Sequence, residues 1–246
     1  VSINPINDDP TGAVGVLGVA RQGGTLSIDN ALADVDGLGS FTYQWQRDGS
    51  AITGATSSTY TLIADDVGSK ISVAVSYTDG GGTAESVVSD ETAAVAANTA
   101  PVITSQDTVS TDEDTISSAI AFSATDADGD TLTYTFSDPS KGSVTNNGDN
   151  TFTYMPDLNA NGSDSFTLTV NDGVVDVSHS YSVSVNPIND DPTGAVGVLG
   201  VARQGGTLSI DNALADVDGL GSFTYQWQRD DTAITGATSS TYTLIA

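Results

Sequence analysis

Apolar residues along this chain recur at every second position rather than every third or fourth. Phe41-Thr-Tyr43-Gln-Trp45, Ile71-Ser-Val73-Ala-Val75, Phe166-Thr-Leu168-Thr-Val170 and Tyr181-Ser-Val183-Ser-Val185 all read apolar, polar, apolar. That period suits strands with one face on a core and one in water. Clusters of Gly, Asp and Asn separate the runs, and no stretch carries a helical repeat. The pattern predicts an all-β protein. Strands are expected near 14–20, 25–29, 40–48, 58–63, 70–78, 83–88 and 91–96. A second set is expected near 101–105, 117–124, 131–137, 142–146, 150–155, 165–171 and 178–186. Asp48-Gly49, Asp79-Gly80, Asn147-Gly148 and Asn171-Asp172-Gly173 supply the turns between them.

The pattern repeats. Residues 183–246 reproduce residues 1–64 apart from three positions, Ile3/Val185, Gly49/Asp231 and Ser50/Thr232. A repeat this close decides the domain organisation. Residues 1–9 read as the last strand and exit of a preceding domain. Residues 10–97 and 98–188 each hold about seven strands, enough for a sandwich apiece. Residues 189–246 are a truncated second copy of the first sandwich, and the whole is expected to be a window on a longer periodic chain. The expected architecture is a tandem, end-to-end array of β-sandwiches. Trp45 is the expected core tryptophan of the first, resting on Ile71, Val73 and Tyr60 because no cysteine pair exists to receive it.

Charge narrows the partners. Against 32 Asp+Glu stand 6 Lys+Arg, a net charge of −26. Nucleic-acid binding needs cationic side chains to displace counterions, so that class is excluded. Attraction to an anionic membrane surface fails for the same reason, and no apolar run approaches the ~20 residues that span a bilayer. Cations are the favoured partners. With no cysteine and one histidine, His179, neither a zinc centre nor a Ser-His-Asp triad is well supplied. Gly80-Gly81-Gly82 precedes no helix and reads as a hairpin loop rather than a phosphate cradle. No enzyme is expected.

Segment 10–97 resembles the bacterial Ig-like repeats that carry YQWQRDG, ITGAT, TYTL, DVG and SYTD, here Tyr43–Gly49, Ile52–Thr56, Thr59–Leu62, Asp66–Gly68 and Ser76–Asp79. Segment 98–188 resembles the cadherin-like domains of giant, RTX-type bacterial surface adhesins. Leu168-Thr-Val170-Asn-Asp172-Gly173, the strand Tyr181–Val185 and the linker Asn189-Asp190-Asp191-Pro192 carry that likeness. Glu113 matches the family's early glutamate, and Asp126-Ala-Asp128-Gly-Asp130 matches its DxD. The glutamate pair of the family's LDRE motif is absent and the linker is one residue shorter, so the resemblance implies an acidic interdomain site rather than a full three-ion cluster.

That site would hold Ca2+, which takes six to eight oxygen ligands. Expected ligands at the 186–192 linker are Glu113, Asp164 or Asp157, Asn189, Asp190, Asp191, Asp216 and Asp218. The same site recurs at Asn7, Asp8, Asp9, Asp34 and Asp36. A poorer one is expected at Asn98, Asp126, Asp128 and Asp130, with Asp79 or Asp66 offered from above; a dry, Pro-fixed junction is the alternative. Without a cation, carboxylates ~5 Å apart repel by roughly 3 kcal/mol per pair at an effective dielectric near 20. Asp126–Ser137 and Asp157–Leu168 mimic EF-hand loops but lack the twelfth-position glutamate and the flanking helices, so both are read as turns.

The resemblance implies a calcium-stiffened extender, or spacer, of a large extracellular bacterial adhesin, at the cell surface and in biofilms. Its partners would be calcium ions and neighbouring repeats of the same chain, then other copies or cell-surface glycans. One alternative is a strand-exchanging subunit of a filament or matrix. Another is a glycan-binding accessory module, which predicts an exposed aromatic row.

Overall fold

A computed structural model describes residues 6–245. Almost all of its regular structure is β. In chain order the strands are β1 (Val14–Leu17), β2 (Thr25–Asn30), β3 (Thr42–Arg47), β4 (Ser50–Ala51), β5 (Thr59–Thr61), β6 (Ile71–Thr78) and β7 (Ala84–Val88). They continue as β8 (Val102–Ser105), β9 (Thr108–Asp112), β10 (Ile120–Thr125), β11 (Thr133–Phe136), β12 (Gly142–Asn146), β13 (Thr151–Pro156), β14 (Gly162–Asn171) and β15 (Asp176–Asn186). The last are β16 (Val196–Leu199), β17 (Thr207–Asn212), β18 (Gln228–Arg229), β19 (Thr232–Ala233) and β20 (Thr241–Thr243). The chain gathers into two compact units: residues up to Gln106 with 122–137 and 167–180, and residues 107–121, 138–166 and 181 onward.

In the first unit a sheet ordered β1-β2-β5 faces one ordered β4-β3-β6-β7. The inward positions of the alternating runs meet between them as one cluster: Leu26, Trp45, Leu62, Ile71, Val73 and Val75. Trp45 is 0 % exposed, pairs in register with Val73 and stacks on Tyr60 at 5.8 Å. Its indole N–H donates to the Ser57 carbonyl at 2.9 Å, so burial leaves no polar atom orphaned. Asp66 is also fully buried, held by Arg47 Nε at 2.7 Å, Tyr60 OH at 2.9 Å and the Ile63 amide at 2.8 Å. A buried carboxylate is tolerable only with such partners. The β3–β4 turn puts Asp48 at φ 47° and Gly49 at φ 75°, the left-handed pair of a tight hairpin. The same unit holds Phe122–Thr125 of β10 paired with β8, and Leu168–Asn171 of β14 paired with β11. Phe122 closes the space between them against Tyr134 and Phe136, at 5.3 and 5.8 Å.

In the second unit β13 pairs with β12 and with Ile120–Ala121 of β10, while β15 pairs in parallel with β9. Phe152 of β13 meets Phe166 of β14 and Tyr181 of β15 edge-on, at 5.4 and 4.8 Å. Tandem β-sandwiches are therefore the fold. The unit also contains the second copy of the repeat, as β16-β17-β20 and the hairpin β18-β19.

Three details differ from the sequence pattern. Residues 108–112 form β9, an unexpected strand whose inward positions, Val109 and Thr111, include only one large apolar residue. Residues 91–96 form no strand and make only isolated parallel bridges, Val95 to Val67 and Ala96 to Arg21. The strand end expected at the start of the chain lies in part outside the described residues, and 6–10 are not extended into a sheet.

Candidate metal centre

Strand β9 delivers Glu113. Its amide continues the parallel ladder by donating to the Asn186 carbonyl at 3.0 Å, which fixes the residue beside the end of β15. The side chain is 4 % exposed, and Oε1 accepts the Ile188 amide at 2.5 Å while Oε2 accepts Asn161 Nδ2 at 3.2 Å. Two residues further on, the Asp190 amide donates to Asp218 Oδ2 at 2.7 Å. Asp218 is itself set by an Asx-type turn in which its amide donates to Asp216 Oδ1 at 2.9 Å. Carboxylate oxygens of Glu113, Asp190 and Asp218 then lie within 4.8 Å of one another.

Among the described residues no ion pair reaches them: those present join Arg21 to Asp128 and Asp130, Arg47 to Asp66, and Lys70 to Glu91. Asp190 Oδ2 is buried and accepts no hydrogen bond. Desolvation, then the charges of Asp218, Asp114, Glu113 and Asp216, push the Asp190 carboxyl above its ordinary value. Three carboxylates at this spacing repel one another. Their hard oxygen atoms fit Ca2+ or Mg2+ and offer nothing to a soft metal. Glu113, Asp190 and Asp218 would hold the ion, with Asp216 alongside.

Other expected ligands are placed elsewhere. Asn189 and Asp191 are exposed, and Asn189 Nδ2 folds back onto the Asp190 carbonyl at 3.0 Å. Asp164 is consumed by its own loop: it accepts the amides of Ser140, Lys141 and Ser165, the Ser140 hydroxyl and Tyr154 OH, all at 2.8–3.0 Å. Despite desolvation, those hydrogen bonds pull its carboxyl down to about 2. The recurrence near the start of the chain keeps the scaffold. The Asp8 amide donates to Asp36 Oδ2 at 2.8 Å, and the Asp36 amide to Asp34 Oδ1 at 2.8 Å, as at 190, 218 and 216. There Asp34 also accepts Tyr77 OH at 2.5 Å, Asn7 turns to Glu85 at 2.9 Å, and Asp9 is exposed.

A second close group forms from Asp126, Asp128 and Asp130 in the first unit, again within 4.8 Å. Asp126 Oδ1 accepts the amides of Asp128 and Asp130, at 2.8 and 3.3 Å, and its Oδ2 is buried without a partner. The main partner of this group, Arg21, belongs to no motif. Arg21 Nη2 bonds Asp130 Oδ1, and Nη1 donates to the Asp128 carbonyl at 3.0 Å and lies 3.7 Å from Asp128 Oδ1. Asn98 does not join the group: its Nδ2 donates to Asp172 Oδ2 at 2.8 Å. Asn161, which steadies Glu113, was likewise not foreseen.

Trp45, Phe152 and Tyr154 are fully buried and closed to a sugar ring, so they form no aromatic platform. No helix of the described residues is long and apolar enough to cross a membrane.

The family model of the bacterial Ig domain matches residues 98–186, the segment whose motifs resemble cadherin-like domains. Among solved structures, the three N-terminal domains of the bacteriophage RB49 highly immunogenic outer capsid protein are similar at 17 % identity, covering 94 % of this chain and 78 % of that one, with a TM-score of 0.38. Titin domains I67–I69, in an E-to-A variant, are similar at 10 % identity, covering 98 % and 89 %, with a TM-score of 0.31. The fibronectin(III)-like modules of Clostridium thermocellum CbhA give 13 %, 71 % and 94 %, and 0.33. At such scores these likenesses carry no weight, and the sandwich assignment rests on the strand pairings themselves. Comparison with curated proteins gives no match.

Proposed function

We propose that this chain is an extracellular spacer of a large bacterial surface or secreted adhesin, in which calcium bound at Glu113, Asp190 and Asp218 fastens each cadherin-like sandwich to the Ig-like repeat after it. One observation carries the reading: a buried carboxylate oxygen, Asp190 Oδ2, has no hydrogen bond and sits among like charges that no ion pair of the described residues reaches. A divalent ion reverses the sign of that repulsion. Glu113 lies next to β9, Asp190 in the linker and Asp218 in the following repeat. One ion would therefore tie three separated stretches of chain together. The bacterial Ig match over 98–186 and the tandem sandwiches support a structural, non-catalytic role in which reach grows by duplication.

Small-angle scattering of the 246-residue chain tests the mechanical half of this reading. Calcium should lengthen and narrow the distance distribution, and excess EGTA should reverse the change. A distribution indifferent to both would leave a string of sandwiches without a calcium-set joint.

A further inference from the structure

We propose that the guanidinium of Arg21 is the resident cation of the Asp126–Asp130 loop, so that this joint closes without a divalent ion. The inference uses no atom of the Glu113 group and stands whether or not that group takes calcium.

The arrangement is built around a turn that only glycine permits. The Arg21 amide donates to the Val19 carbonyl and the Gly24 amide to the Arg21 carbonyl, both at 2.9 Å. A Cβ on Gly24 would meet those same two carbonyl oxygens at 2.9 Å. Gly23 has φ +83°, and a Cβ there would meet Val174 Cγ2 at 2.3 Å. The turn is thus pressed against the β14–β15 hairpin, which aims Arg21 at the acidic loop. Its planar fork then serves two acceptors at once, Asp128 and Asp130, which an ammonium on a flexible stem does less well. The three side chains are only 19–25 % exposed, so solvent screens the pairing weakly.

Two further contacts close the same joint. The Thr99 amide donates to Asp128 Oδ2 at 2.7 Å, and Asn98 Nδ2 to Asp172 Oδ2 at 2.8 Å. Asp128 is therefore held between a backbone amide of the linker and the guanidinium. Asp126 Oδ2 has no partner even with Arg21 in place, and removal of Arg21 would leave three mutually close carboxylates with no cation among them.

Hydrogen exchange on the intact chain, with and without EGTA, tests the assignment. In the wild type, protection of the Thr99 and Asp128 amides should change less than twofold on chelation. In Arg21→Gln it should fall at least tenfold in EGTA and recover when calcium is added. Arg21→Lys should fall between the two. Protection of the Val73 and Val75 amides reports that each variant remains folded. The proposal is overturned if the wild type loses protection at Thr99 in EGTA, or if Arg21→Gln is as protected there as the wild type. Failure of the calcium reading would show instead at Ile188 and Asp190, in separate peptides.

Discussion

The two acidic groups of this molecule start from the same problem and resolve it differently. At 126–130 three aspartates crowd within 4.8 Å and an arginine from a distant turn enters them. At 113, 190 and 218 three carboxylates crowd equally, and the residue brought to the two aspartates is a further acid, Glu113. The acceptor loops are alike, since both use an Asx-type turn in which one aspartate accepts the amide two residues later. What differs is the sign of the side chain that meets the loop. A motif read from one loop alone cannot tell a loop that an arginine enters from one met by a further acid; the partner decides.

Reversing each partner is the strongest way to break the contrast. Glu113→Lys places an ammonium where the third carboxylate stood. It should weaken calcium binding at least ~100-fold, because a first ligand is lost and its replacement repels the ion. Isothermal titration measures the loss, and protection of the Ile188 amide should become independent of EGTA. Next in size is Arg21→Glu, which makes the first group resemble the second. Metal-free, it should lose about 2 kcal/mol in urea melts, the cost of breaking a partly buried pair and adding a like charge. It should also gain a calcium-binding event the wild type lacks.

A smaller effect is expected from Asn161→Ala. Asn161 only orients Glu113 through its 3.2 Å hydrogen bond, so calcium affinity should drop by roughly tenfold with the stoichiometry intact. Asp164→Asn should leave calcium binding unchanged, since that carboxylate serves its own loop. Its cost falls on stability, about 2 kcal/mol at neutral pH from weakened amide and hydroxyl contacts. The pH dependence has a definite sign. The Asp164 carboxyl sits at about 2 in the folded chain against an ordinary 3.8. Its stabilisation is full above the ordinary value and fades as pH falls through about 2. Acid melts of the wild type should therefore lose stability across that window, and the Asp164→Asn variant should lose less.

Much of the fold was legible because period-two runs are local signals. Trp45, Ile71, Val73, Phe166 and Tyr181 all fall on the faces their alternation assigns. Strand β9 was not legible: Thr-Val-Ser-Thr-Asp carries one large apolar residue and is extended by parallel pairing with β15, a contact 74 residues away in sequence. Residues 91–96 have the alanines and valine of a strand but find only single bridges. At the candidate site, the linker aspartates and Glu113 could be named from motifs that resemble a family's. Asp164 is spent on its own loop, and the sequence alone does not say which amides surround a carboxylate. Arg21 carried no motif at all. Its role depends on a glycine turn meeting Val174, which only the folded chain displays.

Everything in the functional account depends on whether the Glu113, Asp190 and Asp218 oxygens bind a divalent ion. Calorimetric titration of calcium into the 246-residue chain, beside its Glu113→Gln variant, asks that directly. Saturable binding is expected in the wild type, with Kd at or below the ~1 mM of extracellular calcium modules, and none at that site in the variant. Identical isotherms for the two proteins, or no heat from either, would contradict it.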